Sequence, residues 1–286
     1  MSNQTSFWEK ISRIDRRWIF LTIAITVSVP MILGVDFAAV PSPMVEDIFH
    51  RIEQLPAGSR VLLSYDYGPS TVPENQPMAD ALAYHLLKRG CKVYMMAVWA
   101  TGERQATVTM ERVVIPSFPK AVYGDDYIDL GYKAGNTGLM NLLFTNFKRM
   151  YTTDRTGKDI ESFPMMQQIE SLRSFNMIFS ISSGQPGLKE WVQFVGDRGK
   201  IPTSGGVTAV QATELYPYYP RQMFGLMAGL QGAAEFESMV IEKYPEYAPM
   251  RTALRKMAPQ TVAHIAIIVL VVLGNIAYFT TRKRGK

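Results

Sequence analysis

The sequence predicts an α/β domain, three layers deep with a mainly parallel sheet, carried between two transmembrane helices. Three observations predict it: an uncharged apolar segment near each end, short apolar runs alternating with helical stretches between them, and a charge balance that differs between tails and centre. The first apolar segment runs from Trp18 to Val35, behind Arg16 and Arg17 and ahead of Asp36. The second follows Lys256 and reaches Thr281, with an unbroken apolar run from Ile265 to Leu273. A helix rising about 1.5 Å per residue needs roughly 20 residues to cross a hydrocarbon core of about 30 Å. Both segments reach that length, the first only just. The expected division is a tail 1–17, a first span 18–35, a domain 36–258, a second span 259–281 and a basic tail 282–286.

Charge sets the expected orientation. The chain carries 30 basic and 25 acidic residues; the tail before the first span is +2, the tail after the second is +4, and the middle is −1. The basic balance belongs to the tails, which argues against nucleic acid as a partner of the domain. Positive flanks are retained in the cytoplasm, so both tails are expected inside and the domain outside, in the periplasm or its equivalent. Arg251, Arg255 and Lys256 weaken the bias at the second span; Asp36, Glu46 and Asp47 reinforce it at the first. Pro30 favours a retained anchor over a cleaved leader, although Ala38 and Ala39 have the small side chains of a cleavage site. His264 and Asn275 fall inside the second span near its ends, where headgroups and water satisfy them.

The elements follow in order. AAVPSP (38–43) is a stiff exit, and Ser42 reads as an N-cap for a helix opened by Pro43, with Val45, Ile48, Phe49, Ile52 and Leu55 at helical spacing. RVLLSY (60–65) is a strand buried on both faces, 66–76 a polar loop, 77–89 a helix and KVYMMAV (92–98) a second strand. A helical crossover between two such runs implies parallel pairing. Thr107 to Ile115 fits a strand or a helix, Tyr127 to Leu130 a short strand, and 136–150 a helix. NMIFSIS (176–182) is a third clear strand, followed by the turn SGQP and a short helix; Lys200 to Val210 holds a fourth. Four parallel strands with interleaved helices make a Rossmann-like domain.

In such a sheet, ligands lie beyond the carboxyl ends of the strands. The candidate ligand-binding residues there are Asp66, Tyr67, Glu74, Ser183, Gly184, Gln185, Gln211 and Glu214. Trp99, Thr101, Glu103 and Thr213 share the rim. Asp66 and Glu74 could act as an acid–base pair if they face one crevice; acids in a loop bounded by Gly68, Pro69 and Pro73 are otherwise turn formers and caps. No dinucleotide fingerprint, P-loop, HExxH or nucleophile elbow is present, so the sequence names no catalytic residue, metal or cofactor. His50 and His85 lie on predicted helices as core or surface residues. Asp125, Asp126 and Asp129 read as a solvated turn and strand rather than a calcium cage. The single cysteine, Cys91, excludes an internal disulfide and reads as a small buried hydrophobe.

Arg221 to Val240 reads as one helix rich in small residues. Gly225, Ala228, Gly229, Gly232 and Ala233 permit close backbone approach, as candidate interface positions or as packing onto the sheet. YPYYP (216–220) before them is a stiff aromatic patch suited to a membrane or a partner. The segments YGDDYIDLGYKAG and GLMAGLQGAAEFE resemble sequence in prokaryotic membrane-anchored proteins with an extracytoplasmic α/β domain and no assigned activity. The resemblance implies the architecture and no site residue.

The leading expectation is a non-enzymatic binding or scaffold protein of the inner membrane, partnered by other membrane or periplasmic proteins or by itself. The alternatives are a membrane-tethered hydrolase-type enzyme using the rim carboxylates, and an accessory subunit of a transporter or energy-transducing complex.

Overall fold

The computed structural model describes residues 7–12, 14–36 and 39–284. Arg13 of the first tail, Ala38 of the exit segment and Lys286 of the last tail lie outside the described residues. The chain divides into two compact units, one of Met1–Phe37 with Arg255–Lys286 and one of Ala38–Leu254.

Helix α1 (Arg16–Leu33) opens with Asp15, whose carboxylate accepts from the Arg17 N–H at 2.9 Å, and closes on Gly34 in the left-handed conformation. It carries a mean hydropathy of 1.5 and its apolar side chains are largely exposed, which is long and apolar enough to cross a membrane. The same holds for the last helix of the chain, whose window between Ala253 and Thr281 has a mean hydropathy of 2.3.

Within the α/β unit, α2 (Pro43–Glu53) buries Val45, Ile48, Phe49 and Ile52, the stripe its spacing predicts. Ser42 occupies the N-cap position as expected, but its side chain makes no capping bond: its N–H and Oγ both donate to Glu235, at 3.0 and 2.7 Å. Strand β1 (Arg60–Asp66) leads into α3 (Val72–Lys88), then β2 (Lys92–Ala97). The segment expected to be a loop up to Gln76 is therefore partly helical, because Pro73 sits in the first turn, where its missing N–H costs nothing. Helix α4 (Gly102–Thr109) runs on through a π-helical turn, Met110–Val114, which settles the strand-or-helix ambiguity of 107–115. Strand β3 (Tyr127–Tyr132) and α5 (Asn136–Thr145) follow, then β4 (Met177–Ser182). Helix α6 (Leu188–Glu190) continues into a second π turn, Trp191–Gly196, before β5 (Thr203–Val207). After α7 (Ala209–Leu215) come β6 (Leu226–Ala228) and α8 (Gly229–Lys243). The last helix, α9 (Ala253–Arg284), belongs to the other unit from Arg255 on.

The six strands are all parallel, in the order β3-β2-β1-β4-β5-β6. Beyond the four strands of the expected sheet, the short strand read at 127–130 joins it as β3, and β6 is a strand the sequence did not suggest. The order is that of a doubly wound Rossmann-like sheet, with the direction of progression reversing between β1 and β4. One face packs Leu62, Tyr94, Met96, Ile128 and Ile178 under α5 and the Trp191 turn. On the other, α3 packs along α8.

Two corrections concern particular residues. The stretch 221–240 is not one helix: Leu226–Ala228 pair with β5, and the helix begins at Gly229, whose φ of 60° favours glycine. Asp129 is not solvated. It is buried, its carboxylate accepts from the Gly131 N–H at 2.9 Å and lies 3.0 Å from Arg155 Nε, and burial raises its pKa to about 6. Asp126 stays at the surface, accepting from the Val122 N–H at 2.8 Å and pairing with Lys92 at 3.0 Å. Among the described residues no three His, Cys, Asp or Glu side chains are gathered as a metal site would require.

One further node ties three helices. Glu53, the last residue of α2, accepts from His85 Nε2 of α3 at 2.7 Å, Tyr244 Oη at 2.8 Å and Lys243 Nζ at 2.7 Å. Burial works against the Glu53 charge, but those donors outweigh it and bring its pKa down to about 2. Burial depresses His85 to about 4, so at neutral pH it is an uncharged donor stacked 4.6 Å from Phe49.

Candidate functional site

The reversal point between β1 and β4 is where the topology places a crevice, and the strand register explains what fills it. Ser64 pairs with Ser180 and Asp66 with Ser182. Alternation puts Ser64 and Asp66 on one face of β1, with Ser180 beside them on the same face. The Ser64 hydroxyl donates to Asp66 Oδ1 at 2.7 Å, and the Ser180 hydroxyl to Oδ2 at 2.8 Å. The Val98 N–H, just past β2, donates to Oδ1 at 3.1 Å, and Trp191 Nε1 to Oδ2 at 2.9 Å. Asp66 is fully buried. Burial raises its pKa to about 6, against the pull of the four donors.

The loops beyond the strands are tied to one another. Asn75 Nδ2, in the first turns of α3, donates to the Ser182 carbonyl at 2.8 Å. Glu74 accepts from the Ala209 N–H at 3.0 Å, bringing the starts of α3 and α7 together. Gln211 Nε2 donates to the Gly184 carbonyl at 3.1 Å. Trp99 Nε1 donates to the Pro186 carbonyl at 2.7 Å, and its ring lies so close that a Cβ on Gly184 would come within 3.0 Å of it. The Ser183 N–H donates to the Asp66 carbonyl at 3.2 Å. Closer in, Gly102 lets α4 cross β1: a Cβ there would stand 1.7 Å from the Tyr65 carbonyl oxygen.

The structure thus brings together Asp66, Glu74, Ser183, Gly184 and Gln211 around one rim. Tyr67 points away into a buried network, its hydroxyl donating to Gln76 Oε1 at 2.8 Å while Gln76 Nε2 donates to Asp80 at 2.8 Å. Gln185 is exposed on the β4 loop. Glu214 is exposed at the surface of α7 and pairs with Lys189 at 3.3 Å. Two rim acceptors, Asn75 Oδ1 and Gln211 Oε1, are buried with no hydrogen-bond partner among the described residues. Their amide nitrogens face carbonyls, which fixes the oxygens as the free ends. Both oxygens are covered by the protein's own atoms, so the rim is closed over them.

Asn75, Ser64, Ser180 and Trp191 were not among the candidates from sequence. A signal for the serines exists: a polar residue inside an otherwise apolar, doubly buried strand, two positions before Asp66 in one strand and in the neighbouring strand of the pair. Trp191 and Asn75 carry no such signal.

The small residues after β5 all meet their own chain. A Cβ on Gly225 would lie 2.4 Å from the Met44 carbonyl oxygen, one on Gly229 2.8 Å from Ala209, and one on Gly232 2.9 Å from the Met227 backbone. Ala233 is fully buried and Ala228 half-buried. Cys91 is buried, and burial pushes its thiol up to about 11.

No family model matches the sequence, and no curated protein matches it. Among solved structures, levodione reductase matches over 78% of this chain and 92% of its own, at 11% identity and a TM-score of 0.28.

Proposed function

We propose that this chain is a membrane-anchored, non-enzymatic binding or scaffold protein, a component of a larger membrane assembly. Its two apolar helices cross a plasma membrane, its tails lie in the cytoplasm, and its α/β domain stands on the extracytoplasmic side. The observation that supports this reading is the self-occupied crevice. At the reversal point, Asp66 is saturated by four donors, Glu74 holds the start of α7, and the loops beyond β1, β2, β4 and β5 are bonded to one another. A general acid or base needs access to substrate, and Asp66 has none. A rim held this firmly suits recognition by a fixed surface.

The test of function is purification of the full chain in mild detergent, followed by mass identification of what elutes with it. Defined partner proteins in fixed proportion are expected; a homogeneous monomer with nothing attached would defeat the assembly reading. Orientation is tested separately. Ser70 lies exposed beyond β1, so Ser70→Cys is expected to react with an impermeant maleimide added outside intact cells. Cys91, buried and protonated at neutral pH, gives no background. Labelling only after the cytoplasm is opened would invert the topology.

A further inference from the structure

At the edge where β5 begins, opposite the rim described above, the α/β unit has a cavity of about 250 Å³. Its floor is formed by Ile201, Thr203 and Met223, all buried. Gly196 closes one side by packing on Thr203; a Cβ there would lie 2.6 Å from Oγ1. The mouth carries three cations, Arg51, Lys200 and Arg221, against one carboxylate, Asp197.

Asp197 is already engaged. One oxygen lies 3.2 Å from Lys200 Nζ and the other accepts from Gln222 Nε2 at 3.5 Å. Arg51 and Arg221 have no carboxylate at ion-pair distance among the described residues. The Arg51 guanidinium is held 5.7 Å over the Phe224 ring, which positions the fork and leaves its charge uncompensated. The domain as a whole is near neutral on the acidic side, yet this concavity carries a local excess of +2. Two guanidinium forks at one concave site match the oxygens of a phosphate group, which they bind in pairs. The volume admits a small phosphate-bearing group and is below the roughly 300 Å³ at which pockets for larger ligands begin.

We propose that this cavity binds a phosphate-bearing anion, clamped by Arg51 and Arg221 and steered by Lys200. The anion is a soluble phosphorylated compound or the headgroup of an anionic lipid. The inference stands whether or not the scaffold role holds.

The test is calorimetric titration of the full chain in dodecyl maltoside with sodium pyrophosphate and, separately, with phosphatidic acid in the same detergent. Saturable binding of at least one probe is expected. Replacing Arg51→Ala together with Arg221→Ala should weaken it by at least about tenfold, since charge-assisted bonds are lost from both forks. The paired Arg→Lys variant, which keeps the charges, should fall between, and the distant Lys120→Ala should bind as the native chain does. Pyrophosphate binding alone identifies a soluble ligand; phosphatidic acid binding, with or without competition by pyrophosphate, identifies a headgroup. No saturable binding of either probe, or equal affinity in the native, alanine and lysine proteins, would overturn the proposal.

Discussion

Replacing Glu237 with alanine is expected to lower the stability of the α/β unit by about 3 kcal/mol, because two buried N–H groups lose their acceptor at once. Glu237 lies on α8 with no exposed surface. One carboxylate oxygen accepts from the Thr252 N–H at 2.9 Å and the other from the Leu254 N–H at 3.0 Å. Those groups belong to the start of α9, where the unpaired N–H groups of a helix need partners and where negative charge is favoured. Burial holds the Glu237 pKa above the ordinary glutamate value, and the backbone donors resist that rise. Glu237→Gln keeps one oxygen and should lose about half as much. Glu242→Ala, at an exposed position of the same helix, should stay within about 0.5 kcal/mol. Urea unfolding of the full chain in detergent, followed by tryptophan emission, measures all three. Equal midpoints for Glu237→Ala and Glu242→Ala would show that the carboxylate holds nothing.

Glu235 does the corresponding work at the other end of the unit, accepting from the N–H and Oγ of Ser42. Two residues apart on a helix are separated by about 200°. The two glutamates therefore reach segments that arrive on opposite sides of α8. One helix thus secures both the first and the last turns of chain in the unit, and in the proposed function these are the links to the membrane.

That arrangement was beyond sequence reading, and the reasons are physical. Strands β1, β2 and β4 were legible because strands buried on both faces read as apolar runs, and their helical crossovers imply the parallel sense. Strand β5 was placed only within 200–210, after a Gly-rich turn; Gly205 and Gly206 lie in the strand itself, close against β4 and α3, and Ala209 already opens a helix. Strand β6 was not. It has three residues, and its Leu-Met-Ala runs directly into Gly229 and a helix of small side chains, so helical spacing masks it. The start of α3 was hidden by Pro73 and Pro77, which read as breakers although the first turns tolerate them. For the rim, topology alone placed Asp66, Glu74, Gly184 and Gln211 near one another. It could not say that they are tied to the rim's own chain. Partner choice depends on register, and register is set by pairing between segments more than 100 residues apart, as Ser64 with Ser180 shows.

The second large effect belongs to Asp66, and it should depend on pH in a way that identifies its cause. Each carboxylate oxygen faces one group that can only donate: the Val98 N–H on Oδ1 and the Trp191 indole N–H on Oδ2. The amide of Asp66→Asn has a single acceptor oxygen, so in either orientation its NH2 meets one of these donors. The serine hydroxyls can rotate to adapt; the other two cannot. At neutral pH the variant is expected to lose about 1–2 kcal/mol, since the unpaired buried donor is partly offset by removal of a buried charge. On acidification the gap should widen. The folded pKa is about 6 and an ordinary aspartate titrates near 3.8, so between those values the folded chain binds the proton and the unfolded chain does not. Native stability from this group is therefore complete below 3.8 and is lost as pH rises through about 6. The asparagine variant has no such proton. Across that window the difference between the two proteins should grow by about 3 kcal/mol towards acid. Asp129, whose pKa is also raised, and His85, whose pKa is lowered, titrate in both proteins and cancel in the comparison. Unfolding curves at several pH values from about 4 to about 7, read from tryptophan emission, supply the difference. A gap that stays constant across that range would mean that Asp66 is not a buried carboxylate held between two obligatory donors, and the closed crevice would lose its central support.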